Sequence, residues 1–161
     1  MGEKLSSQGC QAGRTILTLN QTDIIFNFYS CRAEAPPIYV EIQFMGGNDL
    51  LNYKGKPLNY HIHQFPQVNN TCSTTQGHYD PLKANRAPSK PYKCIKEDLY
   101  TCEKGDLSGK FGSLLVSEDV NSSNSINYID YSLTLNEILG LSVVIHAPDR
   151  SKLACNNIEL V

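Results

Sequence analysis

The chain has 161 residues, 40% hydrophobic and 19% charged, with a formal net charge of -2. That length suits one domain with a sizeable core, expected to span residues 1–161, and the near-neutral balance gives no basic field for a nucleic-acid partner. No apolar run approaches the ~20 residues of a membrane-spanning helix.

Met1-Gly2-Glu3-Lys4-Leu5-Ser6 matches a myristoylation pattern. A cytosolic lipid anchor conflicts with the cysteine content described below, so Met1 reads as an added start residue on a processed domain. Residues 1–9 are expected to be disordered or extraneous to that domain. Thr15–Asn20 and Asp23–Ser30 are rich in Ile, Leu, Phe and Thr and predict a hairpin turning at Asn20-Gln21-Thr22. Cys10 and Cys31 lie about equally far from that turn, which predicts a bridge between them. Ile38–Met45 alternates as a strand and ends at the turn Gly46-Gly47-Asn48-Asp49. Leu58–Phe65 is a fourth strand. Pro66–Leu107 then shows little periodicity, with room for a short helix, and a stretch that long is usually functional or stapled. Strands resume at Gly109–Ser117, Ile126–Leu135, Leu141–His146 and Ala154–Val161. Seven or eight strands without helices predict an all-β antiparallel sandwich or Greek-key barrel. No internal repeat or linker is visible.

Six cysteines, an even number with no CxxC pair, predict three disulfides in an oxidising compartment rather than a zinc ribbon. Three N-x-[ST] sequons agree with secretion: Asn20, Asn69 and Asn121 are the candidate glycosylation sites.

The chain has four histidines: His61, His63, His78 and His146. His61 and His63 are i and i+2 on a predicted strand, so they share one face. Two imidazoles presented together suit copper, zinc, iron or nickel.

His61-Ile62-His63, then Cys72, then Gly77-His78-Tyr79-Asp80-Pro81 resembles the metal region of copper/zinc superoxide dismutases. Gly105-Asp106-Leu107, Val143-Val144-Ile145-His146 and Leu153-Ala154-Cys155 continue the resemblance in order, over about residues 38 to 161. It implies a flattened Greek-key β-barrel with His61, His63, His78 and His146 as copper ligands and Cys72 bridged to Cys155. Cys94 and Cys102 then remain as the third pair. Two departures stand out. No histidine occurs between Tyr79 and Gly105, where zinc-containing members carry two more, and Asp106 alone does not make a structural zinc site. Only eight residues separate His146 from Cys155, where those members have a long charged loop. Both losses, and Glu103 placed three residues before Asp106, resemble the copper-only superoxide dismutases, which are extracellular. Related domains occur as tandem repeats, so neighbouring repeats in a longer parent chain are one expectation.

The resemblance implies one copper and no zinc per chain, acting on superoxide to give O₂ and H₂O₂ at an open site. His78 would carry a proton, with Glu103 and Asp106 orienting the ligand rings. Lys152 stands where the family has an arginine three residues before the cysteine, with Arg150 two residues earlier. Lysine keeps the charge but lacks the planar fork. Two other classes stay open: a copper-capturing domain without turnover, and a structural interaction module.

Overall fold

In the computed structural model, residues 9–46, 48–84, 90–116 and 125–161 are described. The hairpin forms from β1 (Gln11–Leu19) and β2 (Thr22–Ser30), in register from Gln11 opposite Ser30 to Leu19 opposite Thr22. Asn20, in the two-residue turn, takes φ of 56°, a left-handed conformation that asparagine tolerates. The remaining strands are β3 (Ile38–Gly46), β4 (Pro57–His63), β5 (Leu114–Leu115), β6 (Ile126–Asp130), β7 (Ser142–His146), β8 (Lys152–Asn157) and β9 (Glu159–Leu160). They build two sheets, ordered β6-β3-β2-β1-β9 and β5-β4-β7-β8, and every ladder is antiparallel. The fold is therefore the all-β sandwich expected from the strand count.

Side-chain alternation explains the packing. Ile24, Phe26 and Phe28 of β2, Ile38, Val40 and Ile42 of β3, and Leu58, Tyr60 and Ile62 of β4 point into the core, all fully buried. Burying a side chain of this size stabilises by ~1.5–3 kcal/mol relative to leaving it exposed. Because β4 spends its even-numbered residues on the core, His61 and His63 must face out of the sandwich. On β7, Val143 and Ile145 face in, which turns His146 the same way. Pairing sets Asn59 opposite His146 and His61 opposite Val144, so His61 and His146 are diagonal neighbours on one outer face.

Three expectations need correction. Gly109–Ser117 is not one strand. Residues 107–111 form a one-turn helix, α1 (Leu107–Phe111), because the Asp106 carboxylate accepts the Gly109 N–H at 2.8 Å and caps it. Only Leu114–Leu115 of that range is strand, and Ser117 lies outside the described residues. Ile126–Leu135 stops as a strand at Asp130, whose side chain accepts the Ser132 N–H in a tight turn. A second short helix, α2 (Leu135–Ile138), follows with a capping box between Thr134 and Glu137. Ala154–Val161 is two strands. Ile158 leaves the ladder to bond Gly140 and Leu141, and the chain crosses to the other sheet.

The disulfides join Cys10 to Cys31, Cys72 to Cys155 and Cys94 to Cys102. The second spans 83 residues of sequence, a loop whose closure stabilises by ~4–5 kcal/mol in the chain-entropy model. Among its described residues, the long stretch between β4 and α1 contains two 3₁₀ turns, Cys72–Thr75 and Leu99–Thr101. No helix among the described residues is long and apolar enough to cross a membrane. Asn20 and Asn69 are exposed, and Asn121 lies outside the described residues.

Candidate metal centre

The long loop returns beside the end of β4 and is fastened there by backbone. Gln64 N–H donates to Gly77 O at 3.0 Å, and His63 and His78 form a bridge pair. Three segments then close a ring of hydrogen bonds, each 2.8 Å long: Ile62 N–H to Gly105 O, Gly105 N–H to Tyr79 O, and Tyr79 N–H to Ile62 O. That ring holds the segment of His61 and His63, the segment of His78, and the segment of Glu103 and Asp106 in one place.

The four histidines converge on the outer face. One ring nitrogen from each lies within 4.8 Å of the others. His61, His63 and His146 are buried, and His78 is 28% exposed by side chain. The His61 ring stacks on His78 with centroids 3.9 Å apart, and His63 stacks on His146 at 5.3 Å.

In each ring one nitrogen is spoken for and the other faces the cluster. His63 Nδ1 donates to Gln76 O at 2.7 Å, and His146 Nδ1 donates to Arg150 O at 3.1 Å. His78 Nδ1 bonds the Glu103 carboxylate. His61 Nε2 lies 3.3 Å from both Asp106 Oδ1 and Ser108 Oγ. Such partners fix the tautomer and aim of a ligating imidazole. The inward atoms are therefore His61 Nδ1 and the Nε2 atoms of His63, His78 and His146.

Those atoms fit a metal ion. His61 Nδ1 is buried with no hydrogen-bond partner, a deficit that costs ~1–3 kcal/mol when uncompensated. His63 Nε2 and His146 Nε2 stand 3.2 Å apart. Their Nδ1 protons are committed to carbonyls, so two lone pairs face each other, and a shared cation removes the repulsion. Burial pushes His63 down to about 3 and His146 down to about 4. Burial lowers His61 too, against the pull of Asp106. The rings of His61, His63 and His146 are thus neutral at neutral pH, as ligation requires.

Asp106 and Glu103 are buried beside this cluster. Burial alone would raise the Asp106 carboxyl, but hydrogen bonds from His61 and Tyr92 outweigh it and set it at about 2. Tyr92 escaped the sequence reading. Its hydroxyl donates to Asp106 Oδ2 at 2.7 Å and accepts the Glu103 N–H at 3.0 Å, joining the two carboxylate residues. Burial, then the bond to Asp106, raises the phenol and keeps it a donor. Nothing in the aperiodic stretch around Tyr92 marks it. Ser108 was also missed, although an Asp106-x-x-Gly109 cap does place it on the first turn of a helix facing β4.

An open cavity of about 730 Å³ lies over the cluster. Lys152 and Arg150 are on its wall. Lys152 Nζ donates to Gln76 O at 2.8 Å, Thr75 Oγ1 at 3.0 Å and Cys72 O at 3.2 Å. On β8, the register shifts between Ile145 and His146, so Lys152 rather than Leu153 stands opposite His146.

A family model for copper/zinc superoxide dismutases matches residues 27–155. The chain belongs to the copper/zinc superoxide dismutase family. The cell surface Cu-only superoxide dismutase 5 of Candida albicans is 33% identical over 111 residues, covering 65% of this chain and 43% of that protein. A cell surface Cu-only superoxide dismutase of Arthroderma benhamiae is 36% identical over 107 residues, covering 63% of this chain and 28% of that protein. The chain thus spans less than half the length of these curated relatives. The solved Cu(II) form of Candida albicans superoxide dismutase 5 superposes with a TM-score of 0.66 at 25% identity, covering 94% of this chain and 92% of the solved one.

Beside the cluster, Asp106 and His78 are both engaged by the chain's own groups. Asp106 accepts from His61, Tyr92 and the Gly109 N–H, and His78 Nδ1 is bonded to Glu103.

Proposed function

We propose that this protein disproportionates superoxide to O₂ and H₂O₂ at one copper ion, without zinc, held by His61, His63, His78 and His146. The observation that carries the reading is the set of four inward imidazole nitrogens whose opposite nitrogens are each engaged. Copper bound there supplies one-electron exchange, because both of its oxidation states accept imidazole ligands. The chain's own residues do the rest. The carbonyls of Gln76 and Arg150 hold His63 and His146 in one tautomer. Asp106, itself held by Tyr92 and Gly109, does the same for His61. His78, which lines the cavity and is hydrogen-bonded to the Glu103 carboxylate, can pass one of the two protons that reduced superoxide takes up to leave as H₂O₂, the other coming from solvent. Lys152 and Arg150 place positive charge on the cavity wall, which favours entry of a small anion. The three disulfides, the exposed Asn20 and Asn69 sequons and the cell-surface relatives support a site of action outside the cell or at its surface.

Copper reconstitution tests this. A tetragonal Cu(II) resonance with nitrogen couplings, one copper and no zinc per chain, and superoxide removal above free copper are expected. Copper capture without turnover is the second reading, favoured by the full engagement of Lys152 Nζ. It predicts the same resonance with no removal above the free metal, and that result would sink the enzyme reading.

Glu103→Gln keeps an acceptor for His78 but removes the charge and the proton affinity. The Tyr92 contact runs through the Glu103 backbone and survives. Superoxide removal should fall ~10–100-fold, the range for changes behind a ligating histidine, with copper stoichiometry retained. Pulse-generated superoxide decay between pH 6 and 9 checks it, and an unchanged rate would show that Glu103 carries no proton traffic.

A further inference from the structure

We infer that Arg150, rather than Lys152, is the side chain that meets the incoming anion, an assignment that rests on the proposed superoxide chemistry. An ammonium has three N–H donors and no more. Lys152 has three acceptors, Cys72 O, Thr75 Oγ1 and Gln76 O, all on the loop segment pinned by the Cys72–Cys155 bridge. One of them, Gln76 O, is the carbonyl that holds His63. Lys152 is therefore a positioning residue. It braces the loop against β8 and steadies one ligand ring, and it has no N–H left to point at a substrate. Its charge still adds to the field over the cavity.

Arg150 is the other cation among the described residues that line the cavity. It is exposed, and its guanidinium makes no hydrogen bond or ion pair among the described residues. The nearest acidic neighbour in sequence, Asp149, is committed to the Ser151 N–H at 3.0 Å and the Ser151 hydroxyl at 2.6 Å. The guanidinium offers five donors in a planar fork, suited to two acceptor atoms at once.

The backbone of Arg150 is fixed to the centre itself. Its N–H donates to Ala147 O at 2.8 Å, and its carbonyl accepts from His146 Nδ1 at 3.1 Å. Its φ of 73° is a strained value for a residue with a side chain. A turn that accepts this strain places the root of the fork one peptide away from a ligand ring. The short connection from His146 to Cys155 thus supplies both the carbonyl that orients a ligand and a cation free to bind.

Azide, a small linear anion, is the probe. It is titrated into copper-loaded protein and followed by its optical band and by the Cu(II) resonance. Arg150→Gln keeps the backbone and its carbonyl. It should weaken azide binding ~10-fold through loss of a charged donor fork at a solvent-open site, and flatten the salt dependence of superoxide removal. Arg150→Lys should restore the salt dependence but only part of the azide affinity, because a point charge replaces the fork. Lys152→Gln should show the opposite signature, a changed Cu(II) resonance with less effect on azide. Azide binding to Arg150→Gln within twofold of the unaltered protein, at full copper loading, would overturn the assignment. Unaltered protein that binds copper and azide but removes no superoxide overturns the proposed reaction, while the azide series still reads Arg150. Failure to take up copper overturns both.

Discussion

Gly105→Ala is expected to cost the protein its metal centre. Gly105 is the corner of the three-segment ring. Its carbonyl receives the Ile62 N–H, and its N–H reaches Tyr79 O. A Cβ there would land on the Ile62 carbonyl oxygen and lie 3.0 Å from both the Tyr79 nitrogen and its Cβ. Most of those atoms are backbone, so no side chain can swing aside to make room. Relief requires opening the ring, which loses up to three hydrogen bonds worth ~0.5–1.5 kcal/mol each. Overpacking adds ~1–3 kcal/mol, and the sum is in the severe range for a single change. The functional cost is larger, because the ring sets His61 and His63 against His78 and the carboxylates. A shift of about 1 Å at a catalytic site can cost ~100-fold in rate. Gly77→Ala is the control: it is also beside the cavity, but its added methyl meets only the end of the Gln64 side chain, at 3.7 Å. Urea unfolding and copper stoichiometry should separate the pair, with Gly105→Ala losing several kcal/mol and most of its copper and Gly77→Ala losing neither. Equal copper content in both would show that the ring is dispensable.

Strand parity carries much of the site. Once Leu58–Phe65 reads as a strand, the common face of His61 and His63 follows from period two, and β4 does turn Leu58, Tyr60 and Ile62 inward. The hairpin was legible for the same reason, since Asn20-Gln21 interrupts two apolar alternations. What was not legible depends on partners remote in sequence. Leu107–Phe111 coils because Asp106 caps it, although Gly109–Ser117 reads from sequence as a strand. Tyr92 matters only because the loop folds its hydroxyl between Glu103 and Asp106. The charge of Lys152 is plain in the sequence. That three carbonyl and hydroxyl oxygens exhaust its donors is not, because two of those three residues, Thr75 and Gln76, carry no signal of their own.

Lys110→Met should be the most destabilising change away from the centre. Lys110 and Asp130 are almost wholly buried, with Nζ 2.5 Å from Oδ2. Lys104 O at 2.7 Å and Ser132 Oγ at 3.0 Å complete the ammonium's partners. The pair ties α1 to β6 in the opposite sheet. Burial lowers the Lys110 pKa in spite of Asp130, so desolvation outweighs what the partner returns, and the pair need not be net stabilising. Breaking it is another matter. Methionine fills the aliphatic space but leaves the Asp130 carboxylate uncompensated in the core, which costs ~3–5 kcal/mol. At ~2–4 °C per kcal/mol for a chain of this size, the melting temperature should fall by about 6–20 °C. Asp130 also accepts the Ser132 N–H at 2.8 Å and the Ser132 hydroxyl at 2.6 Å, so deleting its side chain would open a second deficit. Asp130→Asn keeps an acceptor and drops the charge. Combined with Lys110→Met it should recover about half of that loss, ~1.5–2.5 kcal/mol, and because Asp130→Asn alone also strands the Lys110 ammonium, the coupling energy of the double-mutant cycle should exceed that recovery. Thermal unfolding of the four proteins measures it. If Lys110→Met alone loses less than ~1 kcal/mol, as an ordinary exposed ion pair would, then Asp130 can shed its charge or reach solvent, and α1 is not anchored through this pair.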